Sequence, residues 1–132
     1  MNGEDSLDLR ATYVQLHDGA AAVAIPAGPE FWQTIDKRTE LHEGRLVVVS
    51  PMNETWSHWE MHPAGEELVV ALSGAYEFVF ADSAGERRVA LVAGRAAIVP
   101  RGVWHRAVVH EAGEMLFITR GAATQHKLVG AA

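Results

Sequence analysis

Turn residues interrupt this chain roughly every eight to twelve positions, leaving little room between them for helices. Short apolar runs at Tyr13–Leu16, Ala21–Ile25, Arg45–Ser50, Ser57–His62, Glu67–Leu72, Tyr76–Ala81, Arg87–Val92, Ala96–Val99, Trp104–His110 and Met115–Thr119 read as strands. Between them lie turn signals such as Asp18-Gly19, Pro63-Ala64-Gly65, Ser73-Gly74 and Pro100-Arg101-Gly102. Only residues 31–38, with Phe31, Trp32 and Ile35 on one side, carry a helical period. A parallel sheet needs helical crossovers, and none are encoded, so the pattern predicts an all-β sandwich or barrel with at most one short helix.

Composition narrows the function. The 132 residues, 48% of them hydrophobic, suit one globular domain. Boundaries fall at a flexible N-terminus of residues 1–8, a barrel of residues 9–120 and a C-terminal tail of residues 121–132. With no cysteine, disulfide scaffolds, thiolate metal sites and cysteine nucleophiles are excluded. The net charge of -6, without a basic cluster, argues against nucleic acid as a partner. No apolar stretch has the length of a membrane helix, and the polar, acidic start lacks a secretory pattern, which predicts a cytoplasmic protein with no membrane partner. Leu68–Leu72 is apolar at both strand parities, so its outer face should be buried or covered by a second copy in a homodimer.

The chemistry resides in polar residues placed where a barrel interior should be apolar. Alternate residues of a strand share a face, so Glu60 and His62 project together while Trp59 and Met61 point away. His58 shares their parity. Glu67 opens the next strand, and His105 follows the Pro100–Gly102 turn. Two imidazoles and one or two carboxylates can converge on a divalent Mn, Fe, Ni or Zn ion. The same groups can instead hydrogen-bond to one another without an ion. The sequence shows no Ser–His–Asp arrangement and no phosphate-cradling Gly-rich loop. His17, His42 and His110 read as exposed turn or strand-end residues, and His126 as a loose surface residue of the tail, with folding over the barrel mouth as its alternative.

These residues resemble the two motifs of the cupin superfamily. Gly94, Pro100, Gly102 and His105 fit the second motif, with Val109 at its usual Asn. His62, Glu67 and Gly74 fit the first, with Glu60 at the position of its first His and Glu54 at its opening Gly. The short spacer from Ala75 to Ala93 is similar to that of compact bacterial members. The resemblance implies a double-stranded β-helix of the jelly-roll type, commonly a dimer. It also implies a divalent metal held by His62, Glu67 and His105, with Glu60 as fourth ligand or as a catalytic base. The expected function is that of a metal-dependent enzyme of dioxygenase, isomerase or decarboxylase type acting on a small polar molecule. The alternative is a non-catalytic module that binds a small molecule.

Overall fold

The computed structural model describes residues 6–130. Eleven strands run in the order β1 (Thr12–Leu16), β2 (Ala22–Pro26), β3 (Arg45–Met52), β4 (His58–Met61), β5 (Glu67–Ala71), β6 (Ala75–Asp82), β7 (Gly85–Val92), β8 (Ala96–Val99), β9 (Trp104–Glu111), β10 (Gly113–Thr119) and β11 (Gln125–Leu128). Between β2 and β3 lies α1 (Pro29–Thr34), followed by two single 3-10 turns at Ile35–Lys37 and Thr39–Leu41. The helical period therefore starts two residues earlier than the sequence suggests, at a proline suited to a helix's first turn.

The strands form two sheets whose pairs are all antiparallel. One has the order β2-β1-β3-β10-β5-β8, the other β11-β4-β9-β6-β7. Consecutive strands repeatedly switch sheets, as β4 to β5 and β9 to β10 do. That alternation makes a jelly roll. The core between the sheets is built by strand alternation: Tyr76, Phe78 and Phe80 of β6 face Val69, Ala71 and Met115 from the other sheet, all nearly inaccessible. A second cluster of Tyr13, Ile25, Phe31, Leu41 and Val48 closes one end beneath α1.

Three features place the site. The first is Gly74, whose φ of 86° ends β5's connection to β6; a Cβ there would lie 2.6 Å from the Glu111 carbonyl oxygen. The second is the Pro100–Val103 turn, closed by Val103 N–H donating to the Pro100 carbonyl at 3.3 Å. Gly102 holds its third position with φ 77°, the conformation a type II turn demands there, so Pro100 begins the turn and Arg101 is its second residue. Gly102 N–H also donates to the His62 carbonyl at 3.0 Å, and Arg101 Nε to the Pro63 carbonyl at 2.6 Å. The loops that carry the two motifs are thereby bonded to each other.

The third feature corrects the expectation of a tail. Residues 125–128 form β11, which pairs with β4 in the register His126↔Glu60 and Leu128↔His58. Nothing in their composition sets them apart as a strand; β11 exists because β4 would otherwise be an edge with unpaired backbone. Residues 1–5 of the expected flexible N-terminus lie outside the described residues. Asp8 and Arg10 are anchored, Arg10 pairing with both Asp8 and Glu114.

Candidate metal centre

Four side chains from three strands and one loop converge between the sheets. Glu60 projects inward from β4, directly opposite His105 of β9 in the ladder. His62 follows β4 on the same parity, and Glu67 is the first residue of β5. His62, Glu67 and His105 are buried, while Glu60 keeps 19% of its side chain exposed toward the cavity. All the residues assigned to the site from sequence are thus brought together, and Glu66 faces solvent as its parity requires.

The distances describe a shared point. His62 Nε2 lies 3.1 Å from Glu60 Oε1 and 3.4 Å from Glu67 Oε2. His105 Nε2 lies 3.4 Å from Glu67 Oε1 and 3.8 Å from Glu60 Oε1. One ligand atom from each of the four residues falls within 4.8 Å of every other. Yet His62 Nε2, His105 Nε2 and Glu67 Oε1 are buried without a hydrogen-bond partner. Buried polar atoms are ordinarily satisfied, and leaving one unpaired costs about 1–3 kcal/mol. Three such atoms aimed at one point, in a set of two imidazoles and two carboxylates, are a fit for a divalent cation.

The far nitrogens explain why both rings face inward. His105 Nδ1 lies 3.1 Å from the Val103 carbonyl, which can only accept, so Nδ1 carries the proton and Nε2 points to the centre. His62 Nδ1 lies 2.8 Å from Thr124 Oγ1, whose own hydroxyl donates to the Gly121 carbonyl at 2.8 Å. His62 Nδ1 is therefore the donor, and its Nε2 also faces inward. Thr119 Oγ1, on β10 beside Glu67 in register, donates to Glu67 Oε2. Such outer contacts orient ligands in metal sites. Thr119 and Thr124 were not legible as site residues: Thr119 only ends an apolar strand, and Thr124 lies in the segment read as a tail.

Burial alone would favour the neutral form of every member of this quartet. The mutual attraction of opposite charges outweighs it. Desolvation resists protonation of His62, but Glu60 and Glu67 beside it raise the imidazole to about 9. His105 is raised to about 9 against the same opposition by the same carboxylates, helped by the Val103 carbonyl. Burial would raise Glu60 and Glu67, but His105 and His62 pull both well below the usual carboxylate range. Without an ion, the quartet at neutral pH is two carboxylates and two imidazolium groups, with no net charge.

The other histidines divide. His110 pairs with Glu77 at 2.6 Å on the surface, His17 pairs with Glu43, and exposed His42 lines the cavity mouth. His126, expected as a detached surface residue, is 55% exposed yet places Nε2 3.0 Å from Glu60 Oε2. Trp59, opposite in parity to Glu60 and His62, and Trp104, opposite in parity to His105, face away from the centre, each covered by a cation: Arg106 lies 5.3 Å from the Trp59 ring centroid and Lys127 4.3 Å from that of Trp104.

A cavity of about 550 Å³ opens over Glu60, His62 and Glu67 of the quartet. Its walls include Trp32, Ile35, Leu41, Val48, Trp56 and Phe117, and its carboxylates are Asp36, Glu60 and Glu67. Among the described residues, no lysine or arginine lines it.

The sequence matches the cupin domain over residues 45–121, which span the whole quartet. The chain belongs to the cupin family. Among solved structures, a cupin-2 domain protein from Shewanella frigidimarina aligns with TM-score 0.50 and 20% identity, over 57% of this chain and 69% of its own. Oxalate decarboxylase from Bacillus subtilis, a protein with Mn(II) centres, aligns with TM-score 0.53 and 16% identity over 64% of this chain. The alignment spans only 24% of that longer chain. At such identities the likeness is one of fold. No curated protein matches the sequence. Among the described residues, no helix is long and apolar enough to cross a membrane.

Proposed function

We propose that this cupin is a metal-dependent enzyme acting on a small, uncharged molecule with an oxygen-bearing head and an apolar body. The observation that carries the reading is the set of inward atoms of His62, His105 and Glu67 without a hydrogen-bond partner, with His62 and Glu67 lining an open cavity. His62, His105 and Glu67 would hold the ion, with Glu60 as fourth ligand through Oε1. A divalent ion there supplies Lewis-acid polarisation of a carbonyl or enolate oxygen, or a site for oxygen chemistry, as dioxygenases, isomerases and decarboxylases require.

The chain's own residues define the rest. Glu60 presents Oε1 to the imidazoles and Oε2 to His126. His126 Nε2–H donates to the ionised Oε2 at 3.0 Å, which holds the Glu60 carboxylate in place from the solvent side. Trp32, Ile35, Met52, Trp56 and Phe117 give the cavity apolar walls suited to an apolar body. Asp36, together with the lack of a lysine or arginine among the described lining residues, disfavours a dianion such as oxalate, whose second carboxylate would meet no guanidinium or ammonium partner. Support for a homodimer comes from the apolar outer row of the first sheet, where Leu72 and Ile98 are 45% and 63% exposed beside half-buried Leu68 and Val70. Light scattering should give twice the chain mass; a monomer at micromolar concentration overturns this part.

Metal analysis tests the central reading. Protein purified without chelator or affinity-tag metal should carry close to about one ion per chain, and His105→Ala should lose it. Less than roughly a tenth of an equivalent in the unsubstituted protein, even after reloading, would overturn the reading.

A further inference from the structure

Glu60 faces two groups of ligands, and only one of them is the buried centre. His58 precedes it by two residues on β4 and so shares its inward face, while β11 sets His126 directly opposite it. Glu60 Oε2 lies 3.0 Å from His126 Nε2, and the His58 and His126 rings are 5.4 Å apart between centroids. One ligand atom from each of the three residues lies within 4.8 Å of the others. His58 stacks flat on Trp56, with centroids 5.5 Å apart and planes 5° from parallel, which fixes the plane in which its nitrogens lie.

We propose that His58, Glu60 and His126 form a second divalent-cation site at the rim of the cavity, with Glu60 bridging it to the buried centre. In a tetrahedral sphere with bonds of about 2.0–2.1 Å, ligand atoms sit roughly 3.4 Å apart. The His126–Glu60 separation is already close to that, and the wider spacing contracts by side-chain rotation of the half-exposed His126. Two imidazole nitrogens and one carboxylate oxygen favour Zn, Co, Ni or Cu over Mg or Ca. Three protein ligands leave a fourth position open to the cavity. The exposure of His126 gives an ion direct access from solvent, so this site exchanges faster and binds more weakly than the enclosed one. Filling it occupies Oε2, the atom through which Glu60 meets His126.

Titration of metal-free protein with Co2+, followed by calorimetry and by the visible absorption of low-symmetry Co2+, tests the site. The unsubstituted protein should bind two equivalents in two affinity classes. A His58→Ala/His126→Ala variant should lose the weaker class and keep the tighter, whereas His105→Ala should lose the tighter and keep the weaker. His126→Gln alone, a mild change on an exposed strand, should weaken the second class at least about tenfold while leaving the thermal midpoint unchanged. A single equivalent that the double variant retains overturns the rim site. A single equivalent lost in the double variant but kept in His105→Ala upholds it and overturns the buried centre instead.

Discussion

Metal binding at the buried quartet should release two protons near neutral pH. His62 and His105 are held at about 9 because their carboxylate neighbours outweigh desolvation. At pH 7.5 a group with that value is about 97% protonated, so the pair carries roughly 1.9 protons. A divalent ion with both Nε2 atoms as ligands must displace them, and the quartet's net charge stays zero before and after. The apparent affinity for Mn2+ should then rise roughly 80-fold between pH 7 and 8. Two ordinary histidines would release only about 0.2 protons at pH 7.5, with an affinity nearly independent of pH above that point. The assay is calorimetry of Mn2+ binding to metal-free protein in several buffers of different ionisation enthalpy, whose slope counts the protons. A count below about 0.5 per ion at pH 7.5 would refute the reasoning, since the imidazoles would then be neutral in the empty quartet.

The same charges govern the stability of the metal-free protein. Because both histidines have raised values, their contribution is complete below the unfolded value near 6.5 and is lost as pH rises through about 9; denaturation between pH 6 and 10 should show a loss on the order of a few kcal/mol. Glu60 and Glu67, being lowered, should contribute above the ordinary carboxylate value and lose that contribution as pH falls below it, so acid unfolding should begin under about pH 4.5. Thr119→Val removes the hydroxyl that donates to Glu67 and should weaken metal binding about 10-fold or more, with Thr119→Ser restoring it; equal affinity in all three proteins would contradict an orienting role. Phe78→Ala, at a fully buried ring between the sheets, should cost about 3–5 kcal/mol in chemical denaturation.

Strand periodicity and turn chemistry made most of this fold legible, because a jelly roll's core depends on alternation that a single sequence displays openly. Tyr76, Phe78 and Phe80 face inward as their parity requires, and the Pro100–Gly102 and Ser73-Gly74 turns fall where their residues demand. Glu60, His62, Glu67 and His105 were legible for the same reason: charge at inward positions conflicts with burial unless it is paired. The strand at Gln125–Leu128 was hidden, because its residues are polar and exposed and it forms through backbone pairing to β4. Missing it also hid the placement of His126 beside Glu60 and of Thr124 beneath His62. Both contacts span more than sixty residues of chain, and no local pattern encodes them.

X-ray absorption at the metal edge of the protein loaded with one equivalent of Mn2+ asks most directly whether an ion sits among the four side chains. The spectrum should show nitrogen and oxygen scatterers at about 2.1–2.3 Å together with the outer-ring signature of two imidazoles, and this signature should be lost with the ion in His105→Ala. A first shell of oxygen alone, with no imidazole contribution and no change on that substitution, would place the ion elsewhere and remove the basis for the chemistry proposed at this centre.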